Sequence, residues 1–347
     1  MVQKANRIIY LDVLRIFAVF CMIVLHTAAA KWRTVPVDSF EWQVFNAYDS
    51  LVRFCVPVFV MISGALLLNP DKDISMKRML KKNILRIAIA YFFWSFGYAI
   101  YTSKIYLNFN ADTLYVLFKN TMAGHYHLWF LPVIIGLYLV VPLLKKITAD
   151  KKTTEYFLIL SFIFTLALPA LKLLFPKLNV VLNLFGSSMR IELVVGYSLY
   201  FVSGHYFSTY DIGDRAKKAI WFLGLLSVLF TIVVTNVISV KAQEPLQTWY
   251  SYLLPNTAIA SFAVFLLFKE MRFTKWNSPK VVVLSNLCFG IYLVHDVFNI
   301  IMAKMRISTV LFNPIFSVPA LAAAVFVSSL LVAFIISRIP VVNKYII

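Results

Sequence analysis

About ten stretches of this chain are apolar for long enough to cross a lipid bilayer, and no other feature constrains its fold as strongly. A spanning helix needs about 20 mostly apolar residues, because each adds about 1.5 Å across a hydrocarbon core of about 30 Å. The stretches fall near 8–30, 44–68, 84–101, 126–145, 155–175, 192–208, 217–240, 252–269, 282–303 and 311–338. The third is cut short by Trp94 to Tyr101 and polar neighbours, and the sixth contains Glu192 and His205. Composition agrees: 61% of residues are hydrophobic and 14% charged, against roughly 45–50% and about 25% in soluble globular proteins. The 31 Phe and 18 Tyr exclude a disordered chain, and Cys21, Cys55 and Cys288, each inside an apolar run, exclude a disulfide framework. The expected fold is all-α, a polytopic membrane helix bundle of about ten transmembrane helices in one domain over 1–347.

The Lys and Arg residues alternate in density from loop to loop. With the N-terminus cytoplasmic, twenty-one of the 33 fall inside, beginning with Lys4 and Arg7, and ten outside, while Arg15 and Arg53 lie within spans. A two-to-one bias predicts a multi-pass protein with both termini cytoplasmic and an even number of spans. It also accounts for most of the net charge of +18. A nucleic-acid partner would need a basic groove on a soluble face, so none is expected; the basic residues flank apolar helices, where anionic lipid headgroups are their partners. Lys4, Arg7, the run from Ile16 to Leu25 and Ala28-Ala29-Ala30 imitate a cleavable signal peptide. Asp12 and Arg15 interrupt that pattern, and the first segment is expected to stay in the protein.

A charge in hydrocarbon costs about 2.5–3.5 kcal/mol on insertion scales, so each one needs a partner or a task. Arg15 and His26 are 11 positions apart, which at 100° per residue is three turns and about 20°. They share one helix face, about 16 Å apart along its axis. Asp12 shares that face and can neutralise Arg15. A snorkelling arginine and a satisfied bundle histidine would look the same from this helix alone. Segment two adds Arg53, Pro57 and the run Phe59 to Gly64, in which Ser63-Gly64 also suits close helix packing. Segment four opens with His125, His127, Trp129 and Phe130, and segment nine carries Tyr292, His295 and Asp296, where His295 beside an acid reads as a relay or a helix cap. His26, His127 and His295 could ligate a metal. No HxxxH pair supports this, and His125 and His127 would point about 200° apart on a helix, so no metal is expected.

Together these residues resemble the acyltransferase 3 family of integral membrane acyltransferases. Tyr10 to His26 is similar to the family's Arg-x10-His helix, and Arg53 to Gly64 to its Arg…Pro-x-Phe…Ser-Gly segment. His127 to Leu144 and Gly290 to His295 also fit, in the right order and over nearly the whole chain. Within the family the chain is most similar to the type that O-acetylates enterobacterial common antigen. The resemblance implies acyl transfer, with acetyl-CoA as donor and, as acceptor, a hydroxyl of a surface saccharide or its lipid-linked precursor. In that scheme His26 is the general base or a transient acyl carrier. Arg15 holds a CoA phosphate or polarises the thioester, with Asp12 orienting it. Arg53 and Ser63 are the further candidates for the donor, and Trp129, His127, Tyr292 and His295 for the acceptor. A transporter or flippase for a lipid-linked saccharide is the competing reading, since buried charges among ten helices suit transport as well as chemistry.

Overall fold

Thirteen α-helices follow one another in a computed structural model that describes residues 7–69, 75–178, 196–273, 276 and 278–347. They are α1 (Ile9–Ala29), α2 (Phe40–Val52), α3 (Cys55–Leu67), α4 (Met76–Ser103), α5 (Ala111–Ala123), α6 (Phe130–Thr148) and α7 (Lys151–Leu174). Then come α8 (Ser198–Thr209), α9 (Asp214–Ala242), α10 (Pro255–Glu270), α11 (Pro279–Lys304), α12 (Pro314–Ser337) and α13 (Pro340–Tyr345). Among the described residues there is no strand, and nine segments are long and apolar enough to span a membrane. The predicted sixth span is the difference: Glu192 and the rest of 192–195 lie outside the described residues, and the helix described there, α8, is only 12 residues long. Lys4, Lys72, Arg190 and Lys275 of the charge pattern also lie outside the described residues.

Proline and short polar side chains set the helix ends. Pro255, Pro279, Pro314 and Pro340 each stand in a first turn, where the missing N–H would have had no partner. Ser39, Asp150, Ser278 and Asn313 accept backbone N–H groups at the starts of α2, α7, α11 and α12. The expected second span is two helices, α2 and α3, separated by Arg53 and Phe54. Pro57 explains the break, because it has no N–H to return to the carbonyl four residues earlier, that of Arg53. Wide π-helical turns interrupt α4 at Met79–Ile84 and α7 at Phe162–Ala167, the second just ahead of Pro169.

α1 is the hub, packing against α2, α3, α10, α11 and α12. In its most apolar window 61% of residues are buried, against 22% in α9 and α12, which makes those two helices the periphery. Helix α5 was not foreseen. It has no buried residue and lies against α4, and its 13 residues reach only about 20 Å, too short to span. α3 and α8 touch backbone to backbone at Gly64 and Gly204. Off the bundle axis, Lys217 Nζ lies 2.9 Å from Asp211, 3.6 Å from Asp214 and 3.0 Å from Glu270, joining the start of α9 to the end of α10. The ammonium's hydrogen bond and charge hold the Asp211 carboxyl below its usual range.

Candidate active site

One cavity of about 830 Å³ runs beside α1, and both Arg15 and His26 line it. Since those residues stand three turns apart, the space follows α1 over roughly 16 Å of its length. Around Arg15 the wall is polar and basic, with Lys81, Lys82 and Arg86 from α4 and Ser285 and Asn286 from α11. Around His26 it is aromatic, with His127, Trp129, Phe130, Tyr252 and Tyr292. The π turn of α4 carries Lys81 and Lys82, two consecutive lysines on the same wall.

At the basic end Arg15 is held from two sides. Its Nη1 donates to Ser285 Oγ at 3.0 Å and lies 3.6 Å from Asp12 Oδ1, while Ser285 Oγ donates to the same Asp12 oxygen at 2.6 Å. The nearer cation of Asp12 is Arg7, at 2.6 Å, so Asp12 serves two guanidiniums and not Arg15 alone. Ser285 was not singled out from sequence, although it stands seven residues before Tyr292, two turns along the same helix face.

At the other end four of the chain's five histidines converge. The His26 ring is 5.1 Å from that of His295 and 5.6 Å from Tyr126, and the rings of His127 and His295 are 4.9 Å apart. His125 and His127 are not helical. They stand in the turn before α6, which brings their Nδ1 atoms to 3.0 Å, so the expected 200° divergence does not occur. Asp296 faces His125 at 3.4 Å and not its neighbour His295, because consecutive helical residues point about 100° apart. His295 instead donates Nδ1–H to the Tyr292 carbonyl at 2.6 Å, and Tyr292 OH donates to the His127 carbonyl at 2.6 Å. Tyr126 OH and Asn299 Nδ2 both donate to Asp296 Oδ1, at 2.6 and 3.1 Å. Tyr98 stacks on His125 with ring centroids 4.4 Å apart. In the turn, burial moves His127 well below the usual imidazole pKa, and the neighbouring imidazoles push the same way. Burial likewise lowers His125, with Asp296 opposing it. The donor atoms of His125, His127 and Asp296 all lie within 4.8 Å of one another, a set that could ligate a metal, and it is not the His26, His127 and His295 set considered from sequence.

Other predicted residues fall in different places. Ser63, Trp129, His127 and Tyr292 line the cavity; Arg53 and His295 do not. Arg53 sits at the break between α2 and α3, paired with Asp49 at 2.5 Å, donating to Tyr252 OH at 3.3 Å and covering the Tyr250 ring at 4.4 Å. It therefore stands one layer behind the wall, where it holds Tyr252 in place. Trp129 stacks on Tyr252 at 5.8 Å and 23°, meets Tyr197 at 5.9 Å, lines the cavity and remains 37% exposed. Asp49→Asn would strand a buried guanidinium and should cost about 3–5 kcal/mol. The check is a fall in the detergent melting temperature, and an unchanged melt would show that the pair is not needed.

Residues 8–338 match the family model described as Acyltransferase domain. No curated protein and no solved structure matches the chain.

Proposed function

We propose the reaction from one premise: the chain belongs to this acyltransferase family, as a multi-pass membrane member. It moves acetyl from acetyl-CoA to a hydroxyl of a cell-surface saccharide or of its lipid-linked precursor, and the acceptor type is that of enterobacterial common antigen O-acetylation. The observation that carries this reading is the shared cavity, with a guanidinium at its basic end and an imidazole at its aromatic end. Arg15, Lys81, Lys82 and Arg86 are four cations lining this one cavity, suited to the phosphates of a CoA that enters from the cytoplasm. His26 then meets the thioester. As base it takes the hydroxyl proton while the C–O bond forms and the C–S bond breaks; as carrier it would hold the acyl group between two such steps. Trp129, Tyr252 and Tyr292, aromatic residues lining the cavity, suit the apolar face of a sugar ring. In this reading the membrane is the bacterial plasma membrane and both termini are cytoplasmic.

The experiment is transfer of label from acetyl-CoA to glycan by the purified protein, read beside mass analysis of surface glycans with and without it. Saccharide movement in the absence of any acetyl donor would overturn the reading in favour of transport. Within the same assay Ser285→Ala should raise KM for acetyl-CoA about tenfold and leave kcat within about twofold, since a hydrogen bond to a charged group contributes about 1.5–3 kcal/mol. An unchanged KM would mean that Arg15 does not meet the donor.

A further inference from the structure

We propose that the groove between α11 and α12 binds one anionic membrane phospholipid, with an acyl chain lying along its walls and the phosphate held by Lys280 and Arg338. This site uses neither the cavity nor the histidines, and it stands whether or not the chain transfers acyl groups. The groove measures about 430 Å³ and lies between Val283, Leu284 and Leu287 of α11 and Leu330, Leu331 and Phe334 of α12. The α11 residues fall on one stripe, because Leu287 is three and four residues beyond the other two. Val283, Leu331 and Phe334 are 48%, 58% and 39% exposed, on two helices that are long and apolar enough to span a membrane. What surrounds them is lipid, and a slot with two apolar walls fits an acyl chain.

Charge at one end of the groove selects the headgroup. Lys280 stands in the first turn of α11 and lines the groove. Arg338 ends α12, with its guanidinium carbon 4.5 Å from the centre of the Phe334 ring, one of the groove walls. Consecutive spans cross a bilayer in opposite directions, so the start of α11 and the end of α12 lie at the same membrane face. Both cations are exposed, and among the described residues neither has an acidic partner. Basic residues between spanning helices at a membrane face attract acidic headgroups. Phosphatidylglycerol brings a net negative charge to that place, whereas phosphatidylcholine brings a cation of its own and gains less.

The groove also bears on the cavity through α11. Leu287 faces the groove, while Ser285, which lines the cavity and holds Arg15, stands two residues earlier and about 160° round the helix. A lipid in the groove supports that helix from behind, and because it binds the folded chain it raises the melting temperature.

Native mass spectrometry of the delipidated full chain, titrated with phosphatidylglycerol or with phosphatidylcholine of the same acyl chains, tests the site. One phosphatidylglycerol should be retained per chain, saturably, with about 30-fold preference over phosphatidylcholine, about fivefold for each cation. Lys280→Gln and Arg338→Gln should each lose about fivefold, and the double variant should lose the preference. Val283→Trp puts an indole into the groove with both cations intact and should weaken both lipids at least about tenfold; Leu331→Trp fills the same groove should the first variant fail to fold. Equal retention of the two lipids, uptake without saturation, unchanged retention in the double variant or in the tryptophan variant, or an equal rise in melting temperature with either lipid would each overturn the proposal. Displacement of phosphatidylglycerol by an equal concentration of a polyprenyl phosphate would overturn it too, by giving the groove to a different lipid.

Discussion

His26→Ala is expected to lower acetyl transfer about 10²–10⁴-fold while the protein stays folded. That is the usual effect of removing a general base, and a lost acyl carrier would act in the same direction. His26 can be removed without breaking the bundle because among the described residues it makes ring contacts with Tyr126 and His295 and no hydrogen bond. Deleting it strands no polar partner, and the space it vacates opens onto an existing cavity. The measurement is turnover of labelled acetyl-CoA by variant and wild type matched for monodispersity in detergent. Near-normal turnover in the variant would remove His26 from the mechanism and leave the cavity without a base on α1.

Gly204→Ala should have the largest effect on folding. A Cβ on Gly204 would stand 2.0 Å from the Met61 carbonyl oxygen, and one on Gly64 would stand 1.8 Å from that of Phe201. Both obstacles are backbone, so no side chain can rotate away, and α3 and α8 would have to separate. In lipid, helices associate through close packing of small residues and not through a hydrophobic drive, so lost contact is not recovered by burial elsewhere. The loss should exceed the about 1–3 kcal/mol of ordinary overpacking and show as aggregated or unextractable protein. Gly97→Ala and Gly136→Ala are the controls, since nothing lies within 4 Å of a Cβ at either site. Alanine there should be neutral or stabilising by up to about 1 kcal/mol. If Gly204→Ala melts like these controls, α3 and α8 are not in contact at that point.

The parts of the site that were legible in sequence lie on single helices. Arg15 and His26 share a face by arithmetic, and they do share a cavity wall. Asp12 was visible three residues from Arg15, but Arg7 and Ser285, which compete for it, were not, because Ser285 comes from α11. Arg53 was visible as a charge in a span, yet its partner Asp49 and the Pro57 break move it off the cavity wall. The histidine turn was misread for a related reason: assuming a helix separated His125 from His127, whereas a turn joins them.

The sequence by itself determined that this chain is a multi-pass helical membrane protein, and it marked Arg15 and His26 as charged or polar groups on one face of a span. Span length and the cost of unpaired charge in hydrocarbon are local properties that any 20-residue window expresses. Only the tertiary structure decided which side chains and backbones meet: Asp296 with His125, Ser285 with Arg15, Gly64 with Phe201 and Gly204 with Met61. Such pairings depend on how helices far apart in the chain cross and rotate against one another. That is set by packing summed over the whole bundle, which no single window contains.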